Sequence, residues 1–135
     1  MKLNPYIMFS GNAATAMEFY KECLGGEITG VQRFGDAPMP TSDDDKDRIL
    51  HATFTFDDNV IMFSDSMKAN PVPAESNIHL SVDVDDAGKL DSVFSKMSEG
   101  GKVDMALQDT FWGARFGMLT DKFGVHWMFN HELKK

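Results

Sequence analysis

Residues 19–28 read FYKECLGGEI and residues 93–103 read VFSKMSEGGKV, so one pattern occurs twice in the chain. In each copy, residues with helical apolar spacing precede two glycines, which favour the end of a helix. A strand-like stretch follows each glycine pair, and the second copy carries one extra residue near the helix end. This repeat indicates two similar modules, since such a unit usually covers its apolar face by pairing with a copy.

Outside the repeat, each half of the chain predicts the order strand, helix, strand, strand, strand. We predict a first helix over 13–24, capped by Asn12, and a second helix capped by Asp85 or Asp86. The predicted strands cover residues 6–9, 27–34, 49–56 and 60–63, then 78–82, 102–107, 115–119 and 125–129. The expected fold is a single α+β domain over 1–135. Its two βαβββ modules, at about 1–66 and 77–135, form a curved mixed sheet with a concave face.

Residues 35–47 predict a long loop that contains the acidic run Asp43-Asp44-Asp45. Clustered like charges usually face water, so we interpret this run as solvated. Long loops in compact domains are often lids, which makes this one a candidate cover for a ligand. Asp65 and Asp121 lie at predicted strand or turn ends, where aspartate commonly has a structural role.

Composition narrows the possible partners. The formal net charge of −8 disfavours nucleic acid and anionic membrane surfaces, because both require a basic face. The single cysteine, Cys23, excludes an intramolecular disulfide, and we expect it to be buried and inert on the first helix. The first residues resemble no secretory signal, so we expect a cytoplasmic protein whose partner is a small molecule.

Several short motifs point to a family. They are GNAA at 11–14 with MEFYK at 17–21, HA at 51–52, SD at 64–65, TFWGARFG at 110–117 and TDKFGVHW at 120–127. With the two modules, they resemble the vicinal-oxygen-chelate superfamily, which includes glyoxalase I, extradiol dioxygenases and bleomycin-resistance proteins. Within it they resemble the PhnB-like branch, often labelled 3-demethylubiquinone-9 3-methyltransferase-like. The resemblance covers essentially the whole chain and implies a homodimer.

Catalytic members of that superfamily hold a divalent metal ion with four side chains, two from each module. By the resemblance, these four positions fall at Pro5, Met62, Asn77 and Met128. None is a good ligand for a hard metal ion, so we expect no metal there and no cofactor. The alternative is a divalent ion at a non-standard site formed by His51, His79 and His126.

The predicted ligand pocket consists of Phe9, His51, Met62, Trp112, Arg115 and Met128. By the resemblance, Phe9, Met62 and Met128 project into the concave face and make it apolar and soft. We favour a core position, in contrast, for Met17 and Met97.

The other three pocket candidates add polar and aromatic groups. His51 alternates with threonines against apolar neighbours, which places it on the pocket side. Arg115 could clamp a carboxylate, phosphate or phosphonate, or pair with an acidic residue. Trp112 could stack on a flat ligand or fill the dimer contact.

These observations leave three classes of function open. The leading hypothesis is a small-molecule binding protein that works without metal. The alternative is a metal-dependent lyase, isomerase or dioxygenase-type enzyme that uses the histidines. The third is a structural or interaction protein with a filled cavity, whose melting temperature no small molecule would raise.

Overall fold

The chain divides into two compact units, one over Met1–Pro73 and one that begins after Pro73. A computed structural model describes residues 1–73 and 75–133. The elements of the first unit are β1 (Tyr6–Phe9), α1 (Ala13–Leu24), β2 (Glu27–Arg33), a short 3-10 helix (Phe34–Asp36), β3 (Ile49–Phe56) and β4 (Asn59–Asp65). Those of the second unit are β5 (His79–Asp83), α2 (Ala87–Ser98), β6 (Lys102–Asp109), β7 (Ala114–Thr120) and β8 (His126–Glu132). The predicted α+β fold with two βαβββ modules is confirmed.

Each unit forms one four-stranded mixed sheet. The strand order is β1-β4-β3-β2 in the first unit and β5-β8-β7-β6 in the second. The first and last strands of each module are parallel neighbours, and all other neighbours are antiparallel. The two modules therefore share one topology, as the sequence repeat indicates.

The two glycine pairs end the helices and bring the following strand close to the sheet. Gly25 and Gly100 have φ angles of 77° and 73°, a backbone region that favours glycine. A Cβ atom on Gly26 would lie 2.1 Å from a β3 carbonyl oxygen, and one on Gly101 would lie 2.3 Å from a β7 carbonyl oxygen. The repeat thus preserves one close backbone approach in both modules.

In the first unit, α1 packs on an aromatic core. The fully buried Tyr20 stacks on Phe63 of β4 with ring centroids 5.8 Å apart, and Phe54 of β3 contacts the same ring at 6.2 Å. Met17 and Cys23 are also buried on this side of the helix, as predicted.

The second unit has an equivalent core below α2. The buried residues of this helix are spaced to form one apolar face: Leu90, Val93, Phe94 and Met97. They pack with the sheet that holds the buried Trp127 and Phe129 of β8. At 12 residues each, α1 and α2 are short, and no helix in the described ranges has the length and apolarity needed to span a membrane.

The two helices begin differently. Asp86 caps α2, because its side chain accepts a hydrogen bond from the backbone N–H of Lys89 at 2.7 Å. Asn12 precedes α1, but its side chain makes no capping hydrogen bond. Its φ and ψ angles, −115° and 22°, depart from the extended conformation that such a cap normally uses. The sequence identified the position of the first cap but not the group that supplies it.

Asp65, at the end of β4, supplies the missing cap. One carboxylate oxygen accepts from the N–H groups of Gly11 and Ala13, each at 2.9 Å, and the other accepts from the N–H of Ile49 at 2.9 Å. Asp121 acts similarly in the second unit, where it accepts from two N–H groups of its turn and from a buried indole N–H. The predicted structural roles of both aspartates are confirmed.

The acidic run is not uniformly solvated. Asp43 and Asp44 are exposed, but Asp45 is buried, so the prediction is wrong for this residue. Its carboxylate accepts from the N–H of Lys68 at 2.9 Å and from the hydroxyl of Ser42 at 3.1 Å. Those donors replace water around the charge, which is what permits its burial.

Candidate functional site

Each sheet has one face covered by its helix and one face turned away from it, which we call the distal face. Strand β3 shows the distinction clearly. Ala52 and Phe54 are fully buried towards α1, whereas His51 and Thr53 alternate with them and are half-buried on the distal face. The predicted alternation around His51 is confirmed, because successive side chains of a strand point to opposite faces.

A tyrosine–histidine pair lies on the distal face of the first unit. The Oη of Tyr6 lies 3.1 Å from the Nδ1 of His51, and the ring centroids are 5.9 Å apart. Strand β4 separates β1 from β3, so this contact passes across β4. Met62 is the register partner of both Tyr6 and Thr53, and it lies in the same row of the sheet. His51 and Met62, two of the predicted pocket residues, therefore share this face.

Phe9 lies on the opposite face of the same sheet. It pairs with Asp65, three residues after Met62 in β4, and this odd spacing places Phe9 and Met62 on opposite faces. Its ring stacks on the buried Phe63 with centroids 5.7 Å apart. The observed contacts of Phe9 thus belong to the core, and its part in ligand binding stays a prediction.

Three methionines lie side by side on the distal face of the second unit. Met128 of β8 is the register partner of Met118 of β7, which is in turn the partner of Met105 of β6. Phe116 lies two residues before Met118, and its ring contacts Trp112 of the β6–β7 turn at a centroid distance of 5.9 Å. Phe116 and Met118 therefore connect two of the predicted pocket residues, Trp112 and Met128.

Arg115 lies on the helix-covered side of the second sheet. A Cβ atom on Gly117, two residues further along β7, would lie 2.8 Å from the Phe94 ring of α2, which identifies the face they share. The guanidinium of Arg115 pairs with Asp91 of α2 at 3.3 Å and with Asp109 of β6 at 3.4 Å. The ion-pair alternative for this residue is thus observed, and its binding of a ligand stays a prediction.

Two of the three alternative metal ligands meet on the distal face of the second unit. His79 and His126 are register partners in the parallel β5–β8 pair, and their rings stack with centroids 5.0 Å apart. The Nδ1 of His126 lies 2.9 Å from the hydroxyl of Thr120, which donates to Asp104 at 2.8 Å. His51 belongs to the first unit. Within residues 1–73 and 75–133, no three His, Cys, Asp or Glu side chains are grouped to hold a metal ion.

Four residues of these faces were not singled out from the sequence: Tyr6, Met105, Phe116 and Met118. Tyr6, Phe116 and Met118 alternate along their strands with side chains of the helix-covered face, so a period of two contained their signal. Strand β6, which contains Met105, is exposed along most of its length and shows no such alternation. The neighbour of each residue on the next strand depends on register, which that period does not specify.

Comparison with known proteins gives consistent matches over nearly the whole chain. The model of the Glyoxalase/Bleomycin resistance protein/Dioxygenase superfamily matches residues 2–129. Protein YjdN from Escherichia coli (strain K12) is 34% identical, and the match covers 96% of this chain and 95% of YjdN.

Two solved structures are also similar. Protein PA1353 from Pseudomonas aeruginosa is 38% identical with a TM-score of 0.90, and the match covers 99% of each chain. A PhnB protein from Bacillus cereus, described as a 3-demethylubiquinone-9 3-methyltransferase, is 30% identical with a TM-score of 0.82. That match covers 97% of this chain and 99% of the Bacillus protein.

Proposed function

This chain belongs to the glyoxalase/bleomycin resistance protein/dioxygenase superfamily, and from that premise we propose that it is a PhnB-like protein that binds a small molecule without the superfamily's metal. The observation that carries the proposal is the row of Met105, Met118 and Met128 on one distal face, beside Phe116 and Trp112. Thioethers adapt to irregular apolar ligands, and aromatic rings add flat contact area. The ligand that fits this chemistry is apolar and partly aromatic.

The four superfamily metal positions have unsuitable donors in this chain. Pro5 has no side-chain donor, and its carbonyl accepts the N–H of Met62 at 3.0 Å. Met62 and Met128 provide thioethers, which are soft ligands that suit few divalent ions. Asn77 provides only a neutral amide oxygen. This donor chemistry does not fit the superfamily metal and supports a metal-free site.

Polar recognition has a candidate in the first unit. Tyr6 and His51 hold each other at 3.1 Å, and both rings offer hydrogen-bonding atoms on the distal face. A small number of placed polar groups among apolar side chains is typical of small-molecule sites. We propose that this pair, beside Met62, binds a polar group of a small molecule at the distal face of the first unit.

Methyl transfer, the activity named for the Bacillus cereus relative, is not part of this proposal. Proteins commonly hold nucleotide-type cofactors at a glycine-rich turn between a strand and a helix, with N–H groups aimed at the cofactor. At the β1–α1 turn of this chain, the N–H groups of Gly11 and Ala13 donate to Asp65 instead. The turn is thus occupied by an internal contact, which favours ligand binding on the distal faces.

The enzyme alternative makes a different demand on the structure. A metal-dependent lyase, isomerase or dioxygenase site would use His51, His79 and His126, of which His79 and His126 contact each other within the second unit. That alternative predicts an activity that a chelator removes. The proposed metal-free binding would be unchanged by a chelator.

The proposal can be tested by nuclear magnetic resonance of protein with 13C-labelled methionine methyl groups. We would titrate a library of flat aromatic fragments, with and without a chelator. We expect fragments that shift the methyl signals of Met118 and Met128, leave those of the buried Met17 and Met97 unchanged, and raise the melting temperature. If no fragment moves Met118 or Met128, or if a chelator abolishes the shifts, the proposed function is wrong.

A further inference from the structure

We infer that His79 and His126 form a two-histidine site for a borderline divalent metal ion such as Zn²⁺ on the distal face of the second unit. The inference goes beyond the proposed function, because neither residue is at one of the four superfamily metal positions. It depends on contacts within the second unit alone. Imidazole nitrogen is a ligand that zinc, copper and nickel ions all accept.

The parallel strand pair places the two imidazoles next to each other. His79 and His126 are direct register partners, and their rings are stacked at 5.0 Å with an interplanar angle of 29°. Two imidazoles on one zinc ion each bind at about 2.0–2.1 Å from the metal. Binding of one ion by both rings requires a side-chain rotation away from the stacked arrangement, and the strand register can stay fixed.

Hydrogen bonding assigns the tautomer of His126. The carboxylate of Asp104 can only accept, so the single hydroxyl hydrogen of Thr120 goes to Asp104, at 2.8 Å. The oxygen of Thr120 must then accept from the Nδ1–H of His126, at 2.9 Å. In the neutral imidazole, this leaves the Nε2 of His126 with a lone pair. Metal-binding histidines are commonly oriented in this way, by donating the other ring N–H to a fixed acceptor.

His131 shows why tautomer alone does not make a site. Its Nδ1 lies 2.8 Å from the carbonyl oxygen of Val84, which can only accept, so in the neutral ring its Nε2 also carries the lone pair. Its register partner on β7 is the cation Arg115 rather than a second imidazole. His131 is therefore a matched control, with the same tautomer but a cationic neighbour.

The site has open coordination positions. The described residues contain no group of three or more His, Cys, Asp or Glu side chains that could hold a metal ion, so water completes the coordination of an ion bound by the two histidines. A site with two protein ligands binds more weakly than a four-ligand structural zinc site. We therefore expect reversible, exchangeable binding.

The test is a titration of untagged protein with Zn²⁺, followed by calorimetry and by 15N spectra of the imidazoles. The chain has only four histidines, so each can be resolved. We expect a single equivalent of Zn²⁺ to shift the Nε2 signal of His126 and a ring nitrogen of His79. Before Zn²⁺ is added, the spectrum should show His126 as the Nδ1–H tautomer.

Asparagine variants identify the ligands. His126→Asn keeps an N–H near the Nδ1 position but removes Nε2. Each of the single variants His126→Asn and His79→Asn should weaken Zn²⁺ binding by about tenfold or more. The variant with both substitutions should bind Zn²⁺ about as weakly as either single variant. Thr120→Val should also weaken binding by about tenfold and shift the His126 tautomer, because it removes the orienting acceptor. His131→Asn and His51→Asn should bind Zn²⁺ within twofold of the wild type.

Backbone amide spectra establish that each variant is folded. The inference is overturned if the single variants retain wild-type affinity, or if His131→Asn or His51→Asn weakens binding as much. It is also overturned if Zn²⁺ leaves the ring signals of His79 and His126 unmoved. Failure of the fragment titration would leave these results unaffected, since fragments report on methionine methyl groups and Zn²⁺ reports on imidazoles.

Discussion

Tyr6 and His51 are 45 residues apart and on strands that are not neighbours, yet the Tyr6 Oη lies 3.1 Å from the His51 Nδ1. The contact passes across β4 on the face of the sheet that carries the Met62 side chain. Tyr6 is about half exposed, so water competes for the same hydrogen bond. The pair thus orders two polar rings without making a large contribution to folding.

Tyr6→Phe tests this pair. We expect the variant to change the free energy of unfolding by less than about 1 kcal/mol, because the hydrogen bond is partly exposed. The 15N signals of His51 should shift, since its Nδ1 loses a partner, while those of His131 serve as an internal reference. Unchanged His51 signals, or a large loss of stability in urea, would contradict the assignment.

Asp65→Asn should be strongly destabilising. The carboxylate accepts three backbone N–H groups, and an asparagine would present an NH₂ group to at least one of those donors. We expect the free energy of unfolding, measured in urea, to fall by about 3 kcal/mol. This is the order of the cost of removing a charged buried acceptor from its donors. The exposed Asp58→Asn is the control and should stay within about 0.5 kcal/mol of the wild type. Equal effects of the two variants would refute the capping role.

Gly101→Ala tests the close backbone approach shared by the two modules. The added Cβ would meet the carbonyl oxygen of Thr120 at 2.3 Å, and a backbone atom within a sheet cannot move aside cheaply. We expect a loss of about 3 kcal/mol from this overpacking. Gly113→Ala isolates backbone strain, because its φ angle is 86° and nothing lies within 4 Å of the new Cβ. That control should cost only about 1 kcal/mol, and a larger effect at Gly113 would contradict the steric explanation.

Trp112 contacts Phe116 of the distal face, whereas Arg115 pairs with Asp91 on the helix-covered side. The variants Trp112→Ala and Arg115→Ala therefore test which of these two predicted pocket residues contacts the ligand. For a fragment that shifts the Met118 and Met128 methyls, we expect Trp112→Ala to weaken affinity by about tenfold, about 1.4 kcal/mol. Arg115→Ala should leave affinity within twofold, because its guanidinium is paired with Asp91 on the helix-covered side. The opposite ranking, measured by the same titration, would show that Arg115 binds the ligand.

The stability effect of Arg115→Ala provides a further check. Its two ion pairs involve aspartates that are mostly exposed, and such pairs contribute little to folding. We expect the free energy of unfolding to fall by less than about 1 kcal/mol. A loss of several kcal/mol would indicate that the arginine has a larger structural role than these pairs explain.

Much of the fold was predictable because its signals are local. The predicted helix over 13–24 matches α1, and the predicted strand over 49–56 matches β3. The last strand was predicted over 125–129 and is observed as His126–Glu132, since its end has no breaker residue. The first helix cap was only half predicted, because Asp65 is 53 residues away from Asn12 in the sequence and reaches the turn through the sheet.

The candidate site was predicted less completely. Alternation in β3 correctly placed His51 away from the helix, and His79 and His126 were both candidates. Phe9 and Met62 were expected on one face but occupy opposite faces of the first sheet. The resemblance alone assigns these positions to one face, and a shift of one residue in a strand reverses the face that a side chain occupies.

The sequence by itself determined the two modules, the helices and most strand faces, because helical spacing, alternation and glycine pairs act between near neighbours. Only the tertiary structure decided which side chains meet across strands: Tyr6 with His51, His79 with His126, and Met118 with Met128. The physical reason is register. Backbone hydrogen bonds between strands form in the same way whatever side chains the residues carry, so they do not select the register. Burial of the whole core selects it, and only then are the side-chain pairs decided.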